Sequence, residues 1–218
     1  MSVVDDDRTG PAVDADCPDA GPAPVSTLTR GVGVVLLVGG LLGATAAVVL
    51  LLEKLALLAD PNYVPSCSID PVLSCGTVMR TAQAAVFGFP NPVVGVAAFP
   101  VLAAVGALLV SGVELPNWCW LALEFGATAG LGFVLWLAGQ SLTVIHALCP
   151  YCMVVWVCVL AVWWYVTVHN MATGLLGGGA VARTLVRRHL VALAVLVLLG
   201  VVAVVSSFPG YFAAAVGL

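Results

Sequence analysis

Two cysteine pairs carry the chemistry most legible in this chain. Cys149-Pro150-Tyr151-Cys152 opens an apolar run. A thiol at a helix N-terminus sits among unpaired backbone N–H groups at the positive end of the helix dipole, which favours the thiolate. Pro150 suits the first turn, where its absent N–H is not missed. Cys152 falls roughly one turn deeper, so the pattern predicts Cys149 toward water and Cys152 toward lipid. The second pair, Cys67 and Cys75, lies in a long connection with seven residues between the two. Thiol–disulfide exchange needs an attacking thiolate and direct sulfur contact. A mobile loop pair beside a fixed helix pair is arranged as a relay. Two other chemistries use the same residues: a four-thiolate zinc site and a pair of inert structural disulfides. Against zinc, the cysteines lack two close Cys-x-x-Cys knuckles.

Other residues near the pairs are candidates for supporting roles. His146 precedes Cys149 by three positions and is placed to protonate a reduced acceptor or assist thiolate formation. The more ordinary reading is an interfacial histidine at a wet helix end. Trp156, one turn beyond Cys152 on the same face, can wall a pocket for a ring-shaped ligand. Glu124 is an ionisable group inside an apolar run, where such groups are costly, and its distance from both pairs favours snorkelling or packing. Cys119 and Cys158 read as small hydrophobes, and Cys17 as a free thiol.

The elements that position these residues are membrane spans. The chain of 218 residues is 62% hydrophobic and 8% charged, too few charges to cover a water-facing surface. Apolar runs at about 31–52, 92–112, 117–140, 146–168 and 190–208 each approach the roughly 20 residues that cross a bilayer. This predicts an all-α integral membrane protein. Residues 1–29, which hold six of the eleven acidic residues, read as a disordered tail rather than a signal peptide. The remainder is nearly neutral, with no sign of nucleic-acid binding. With the N-terminus cytoplasmic, Arg8, Arg30, Arg183, Arg187 and Arg188 lie inside and only Lys54 and Arg80 outside. That orientation puts loop 53–91, loop 140–146 and the C-terminal tail outside, and 169–189 inside. Both cysteine pairs then share the outer face. Glu53 and Lys54 mark the outer end of the first span. Within loop 53–91, Val78, Ala82, Ala85, Val86 and Phe89 recur at helical spacing behind a Ser74 cap. They predict an amphipathic half-helix on the outer leaflet. Gly39 with Gly43, and Gly126 with Gly130, are candidate sites of close helix approach.

Taken as an ordered set, these residues resemble the vitamin K epoxide reductase family, in particular its bacterial quinone-linked, disulfide-forming members. The set is Cys67 and Cys75 in the loop, Thr81 six residues later, Asn91 before the second span, and Cys149-Pro150-Tyr151-Cys152 opening the fourth. The resemblance covers about 31–168. It implies a four-helix catalytic bundle over 30–168 around a menaquinone- or ubiquinone-type quinone, with the half-helix as its lid. It also implies quinone contacts from Thr81, Asn91 and Trp156. Cys67 would exchange with a partner protein, Cys75 with Cys149, and Cys152 would deliver electrons to the quinone. Many bacterial members carry a thioredoxin-like domain where this chain has a fifth helix at 190–218. A separate extracytoplasmic thioredoxin-fold protein is therefore the expected donor. The implied location is the inner or plasma membrane, and the implied output is disulfide formation. Quinone or quinone-epoxide reduction is the alternative output, and a non-enzymatic thiolate metal-binding protein the alternative class.

Overall fold

The computed structural model describes residues 27–177 and 179–211. Most of the acidic tail, with Cys17, lies outside them. The protein is an all-α membrane protein. Its elements are α1 (Thr27–Ala59), α2 (Cys75–Met79), a 3-10 turn (Ala82–Ala85), α3 (Pro92–Val110), α4 (Asn117–Gln140), a π-helical turn (Ser141–Ile145), α5 (Pro150–Ala172), α6 (Ala180–Arg187) and α7 (His189–Ser207). Five of these are long and apolar enough to cross a bilayer: α1, α3, α4 with its π turn, α5 and α7.

Helix α1 is longer than the apolar run predicts at both ends. It takes in Thr27 to Thr29 from the expected tail and continues past Glu53 and Lys54 to Ala59. Those two residues do not end the helix, and each has a polar partner. The buried Glu53 carboxylate accepts from Tyr63 Oη at 2.9 Å and Ser66 Oγ at 2.5 Å. Lys54 Nζ donates to Met79 O at 2.6 Å. The expected half-helix is broken in two. Ser74 does cap α2, accepting from Thr77 N at 3.2 Å. The helix then stops, because Thr81 takes an extended conformation before the 3-10 turn. Helix α5 starts at Pro150, four residues later than the apolar run, because His146 turns the chain with a left-handed φ of 55°. That conformation is uncommon outside glycine. Helix α6 falls in a connection that the sequence pattern leaves without structure.

Around the bundle, α3 packs on α1, α1 on α5 and α5 on α4, while α3 and α4 scarcely touch. The four helices therefore form a ring with one open seam. The tightest joint is α1 against α3. A Cβ on Gly40 would lie 2.5 Å from Ala103 N, and one on Gly106 would strike the Leu37 backbone. Gly43 faces the Phe99 ring and Gly39 faces α5, so that expected pair is used. Gly126 has nothing within 4 Å of a built Cβ and is not a site of close approach. Helix α7 buries no residue and stands outside the ring.

At the end of the ring away from the cysteines, a polar lock joins α4 to α5. Glu124 accepts from Thr167 Oγ1 at 2.8 Å and from Asn170 Nδ2 at 3.0 Å. The Trp120 indole stacks on the His169 imidazole at 3.6 Å. Glu124 thus neither snorkels nor packs as an isolated group; it is a hydrogen-bonded interhelical acceptor.

Gly106→Ala should destabilise the protein by about 1–3 kcal/mol, because the methyl meets backbone that cannot yield without parting the helices. Gly132→Ala, with open space around it, should be neutral or slightly stabilising. Thermal unfolding in detergent compares the two, and equal effects would contradict the packing described.

Candidate active site

The cysteine hairpin is built from short-range bonds. Asp70 Oδ1 accepts from Val72 N at 2.8 Å and Leu73 N at 2.7 Å, closing the turn. Ile69 N donates to Leu73 O at 2.8 Å, and Ser68 bridges to Ser74. Gly76 N donates to Ser68 Oγ at 3.0 Å. Cys67 and Cys75 are joined as a disulfide across this hairpin. Glu53 pins the chain just before it through Tyr63 and Ser66. The loop expected to be mobile is thus tied to α1 at its base.

The hairpin is also tied to the segment before α5. Leu148 N donates to Val72 O at 2.7 Å, and Ser74 N donates to Leu148 O at 2.9 Å. Cys75 and Cys149 each follow a bonded residue by one position, and their sulfurs lie 3.1 Å apart. The sulfurs of Cys67, Cys75 and Cys149 all fall within 4.8 Å of one another. When reduced, such a triad also suits a soft metal; here two of its members are bonded to each other. Cys149 caps α5, its sulfur accepting from Cys152 N at 3.4 Å. The cap position agrees with the sequence expectation, but the exposure does not. Cys149 is 1% exposed and faces Cys75, not water, because the hairpin covers it. The Cys152 thiol donating to Cys149 holds the Cys149 thiol below its ordinary value; burial opposes this, and the backbone N–H groups of Cys152 and Tyr151 assist it.

Cys152 opens onto a cavity of about 660 Å³ that fills the seam between α3 and α4. Its lining follows α4 from Trp118 to Leu137 and on to Ser141, a rise of roughly 34 Å, or the thickness of a bilayer core. The walls are mostly apolar. Polar groups gather toward the cysteine end: Lys54, Thr81, Gln83, Asn91 and Ser141. Trp156 lines the same cavity. Thr81 donates to Val78 O at 2.8 Å. Asn91 ties down the 3-10 turn, giving to Gln83 O at 2.7 Å and accepting from Val86 N at 3.0 Å. An amide has two donor hydrogens and two acceptor lone pairs, so one of each remains for a ligand. His146 is exposed, bonds locally to Val144 O and is not among the described residues that line the cavity. The structure therefore does not bring His146 to the pocket. Lys54 and Gln83 were missed. Both look like ordinary boundary residues in the sequence, and only the fold-back of the loop onto α1 and α4 brings them to the cavity.

A buried sulfur relay at one end of a five-span bundle, opening onto an apolar cavity, defines a membrane thiol oxidoreductase. No curated protein matches the chain. The vitamin K epoxide reductase family model matches residues 34–167, which is more than half of the chain. The protein belongs to that family. The match takes in both cysteine pairs and stops before α6 and α7.

The thiolate absorbance of Cys149, followed with the hairpin oxidised, should titrate below the ordinary thiol range. Cys152→Ala should move the midpoint upward, because it removes the largest stabilising contact. A midpoint that ignores this substitution would contradict the assignment.

Proposed function

We propose that the protein oxidises an extracytoplasmic thioredoxin-fold partner and passes the electrons through its two cysteine pairs to a membrane quinone, as the bacterial disulfide-forming members of the family do. The observation that carries this reading is the 3.1 Å contact between Cys75 and Cys149, with Cys152 lining the cavity beside it.

The exchange balances as follows. In the reduced hairpin the Cys75 thiolate attacks Cys149 of a Cys149–Cys152 disulfide and releases the Cys152 thiolate. Cys67 then attacks Cys75, closing the hairpin disulfide and freeing Cys149. Two electrons have moved from the hairpin to the helix pair. The cavity fits a prenylated quinone of the menaquinone or ubiquinone type, with polar groups at one end and an apolar path along the span. Bound there, it supplies a two-electron, two-proton acceptor. Thr81, Asn91 and Trp156 would hold its ring at the cysteine end of the cavity, and Lys54 would add a cation there. For a two-electron couple about 30 mV corresponds to roughly 1.4 kcal/mol, so a modest potential gap makes the flow one-way. Cys67 is 6% exposed, so the hairpin has to lift for a partner thiol to reach it.

Residues 30–168 form the catalytic unit on this reading. The protein lies in the inner or plasma membrane with its N-terminus cytoplasmic, and the cysteine end faces the oxidising side. The excess of arginines on the other side supports that orientation.

Purified protein given a reduced thioredoxin-fold donor and a short-chain quinone should oxidise the donor with matched quinone reduction. Cys149→Ala and Cys152→Ala should abolish turnover. Cys75→Ala, given the donor in its disulfide form, should hold it on Cys67 as a mixed disulfide, because the Cys67 thiolate displaces one donor thiol and no Cys75 remains to resolve the bond. Undiminished turnover in either alanine variant would end this reading. Stoichiometric bound metal with thiols that stay reduced would replace it with the metal-binding class.

A further inference from the structure

The Asp70 carboxylate does two jobs with its two oxygens. Oδ1 shapes the hairpin turn through Val72 N and Leu73 N. Oδ2 accepts from Tyr211 Oη at 3.0 Å, across 141 residues of sequence. Tyr211 lies just beyond α7, past Phe208, which is buried although α7 itself buries nothing. Helix α7 also touches the π turn after α4, at the same end of the bundle. The fifth span therefore adds nothing to the core of the ring, yet its end reaches the turn between Cys67 and Cys75. From Tyr211 a short chain of contacts leads to the sulfurs. The phenol holds Asp70, Asp70 orders Val72 and Leu73, and Val72 and Ser74 bond Leu148 on either side. Cys75 and Cys149 follow immediately.

We propose that Tyr211 is a positioning residue for the relay, and that α7 is the strut that carries it. The phenol–carboxylate bond seats the hairpin so that Cys75 stays in register with Cys149. This rests on the relay set out above, in which Cys75 and Cys149 exchange a disulfide.

The test uses the full chain with Cys67→Ser and Cys152→Ser, so that Cys75 and Cys149 remain as one pair. Equilibration in glutathione buffers of known ratio gives the effective concentration of one thiol at the other. Tyr211→Phe should lower it about fivefold, the size expected from one hydrogen bond of ordinary net strength, without moving the thermal midpoint. In an Asp70→Ala background Tyr211→Phe should have no further effect on the relay, because the carboxylate through which the phenol acts on the hairpin is already gone. The proposal is overturned by an effective concentration unchanged by Tyr211→Phe. A drop that persists without Asp70, or one that merely tracks a lower thermal midpoint, overturns it as well. If the parent pair forms no disulfide under any buffer, the relay itself is wrong, a result distinct from the loss of the Tyr211 effect alone.

Discussion

Two backbone hydrogen bonds flanking Leu148 govern the cysteine end. Backbone N–H and C=O groups near lipid need partners, because water is scarce there. Leu148 sits between the left-handed turn at His146 and the first turn of α5, where neither helix can satisfy it. Val72 and Ser74 do so instead. A one-residue slip of that pairing would carry Cys75 away from Cys149. The register of an ordinary bridge thus becomes the register of the sulfur contact.

The seam that holds the cavity is flanked by the tight joint of α3 on α1. Gly33, Gly40 and Gly106 let α3 press onto α1 at backbone distance. A helix held that closely on one side has no reach left for α4 on the other. At the opposite end, Glu124, Thr167, Asn170 and the Trp120–His169 stack fasten α4 to α5. Between a tight joint and a polar lock, the gap between α3 and α4 stays open along the whole span. An apolar gap of that length suits a molecule that lives in the bilayer, and of the four cysteines in the two pairs Cys152 is the one that lines it.

Much of this was legible in the residues, and the failures share one cause. Span number, the helix cap at Cys149 and the placement of Trp156 follow from local pattern and composition. The ends of α1, the split of the half-helix and the roles of Glu53, Lys54 and Gln83 do not. Each of those depends on a loop folding back to supply a hydrogen-bond partner, and periodicity carries no record of that. His146 illustrates the converse: its nearness in sequence to Cys149 pointed to the pocket, but a left-handed backbone turned it away. Glycine spacing misled for a related reason. Gly126 and Gly130 have the interval of a packing motif, yet both line the cavity, and a Cβ there would meet nothing within 4 Å at Gly126 and only one ordinary contact, with Val159, at Gly130.

The pattern of sulfur exposure separates two solvents. Cys67, Cys75 and Cys149 are 6%, 0% and 1% exposed, while Cys152 is partly open and lines the lipid-side cavity. Were Cys149 open to water, its lowered pKa would make it the preferred target of any small thiol or disulfide, and the helix pair would equilibrate with the bulk. Covering it with the hairpin leaves the Cys75 sulfur in contact with it at 3.1 Å. The same covering raises the cost of a loose hairpin, because a shift of a few ångströms both exposes Cys149 and breaks its contact with Cys75. A strut outside the catalytic ring is a reasonable answer to that demand. It can steady the hairpin without occupying the seam that holds the cavity.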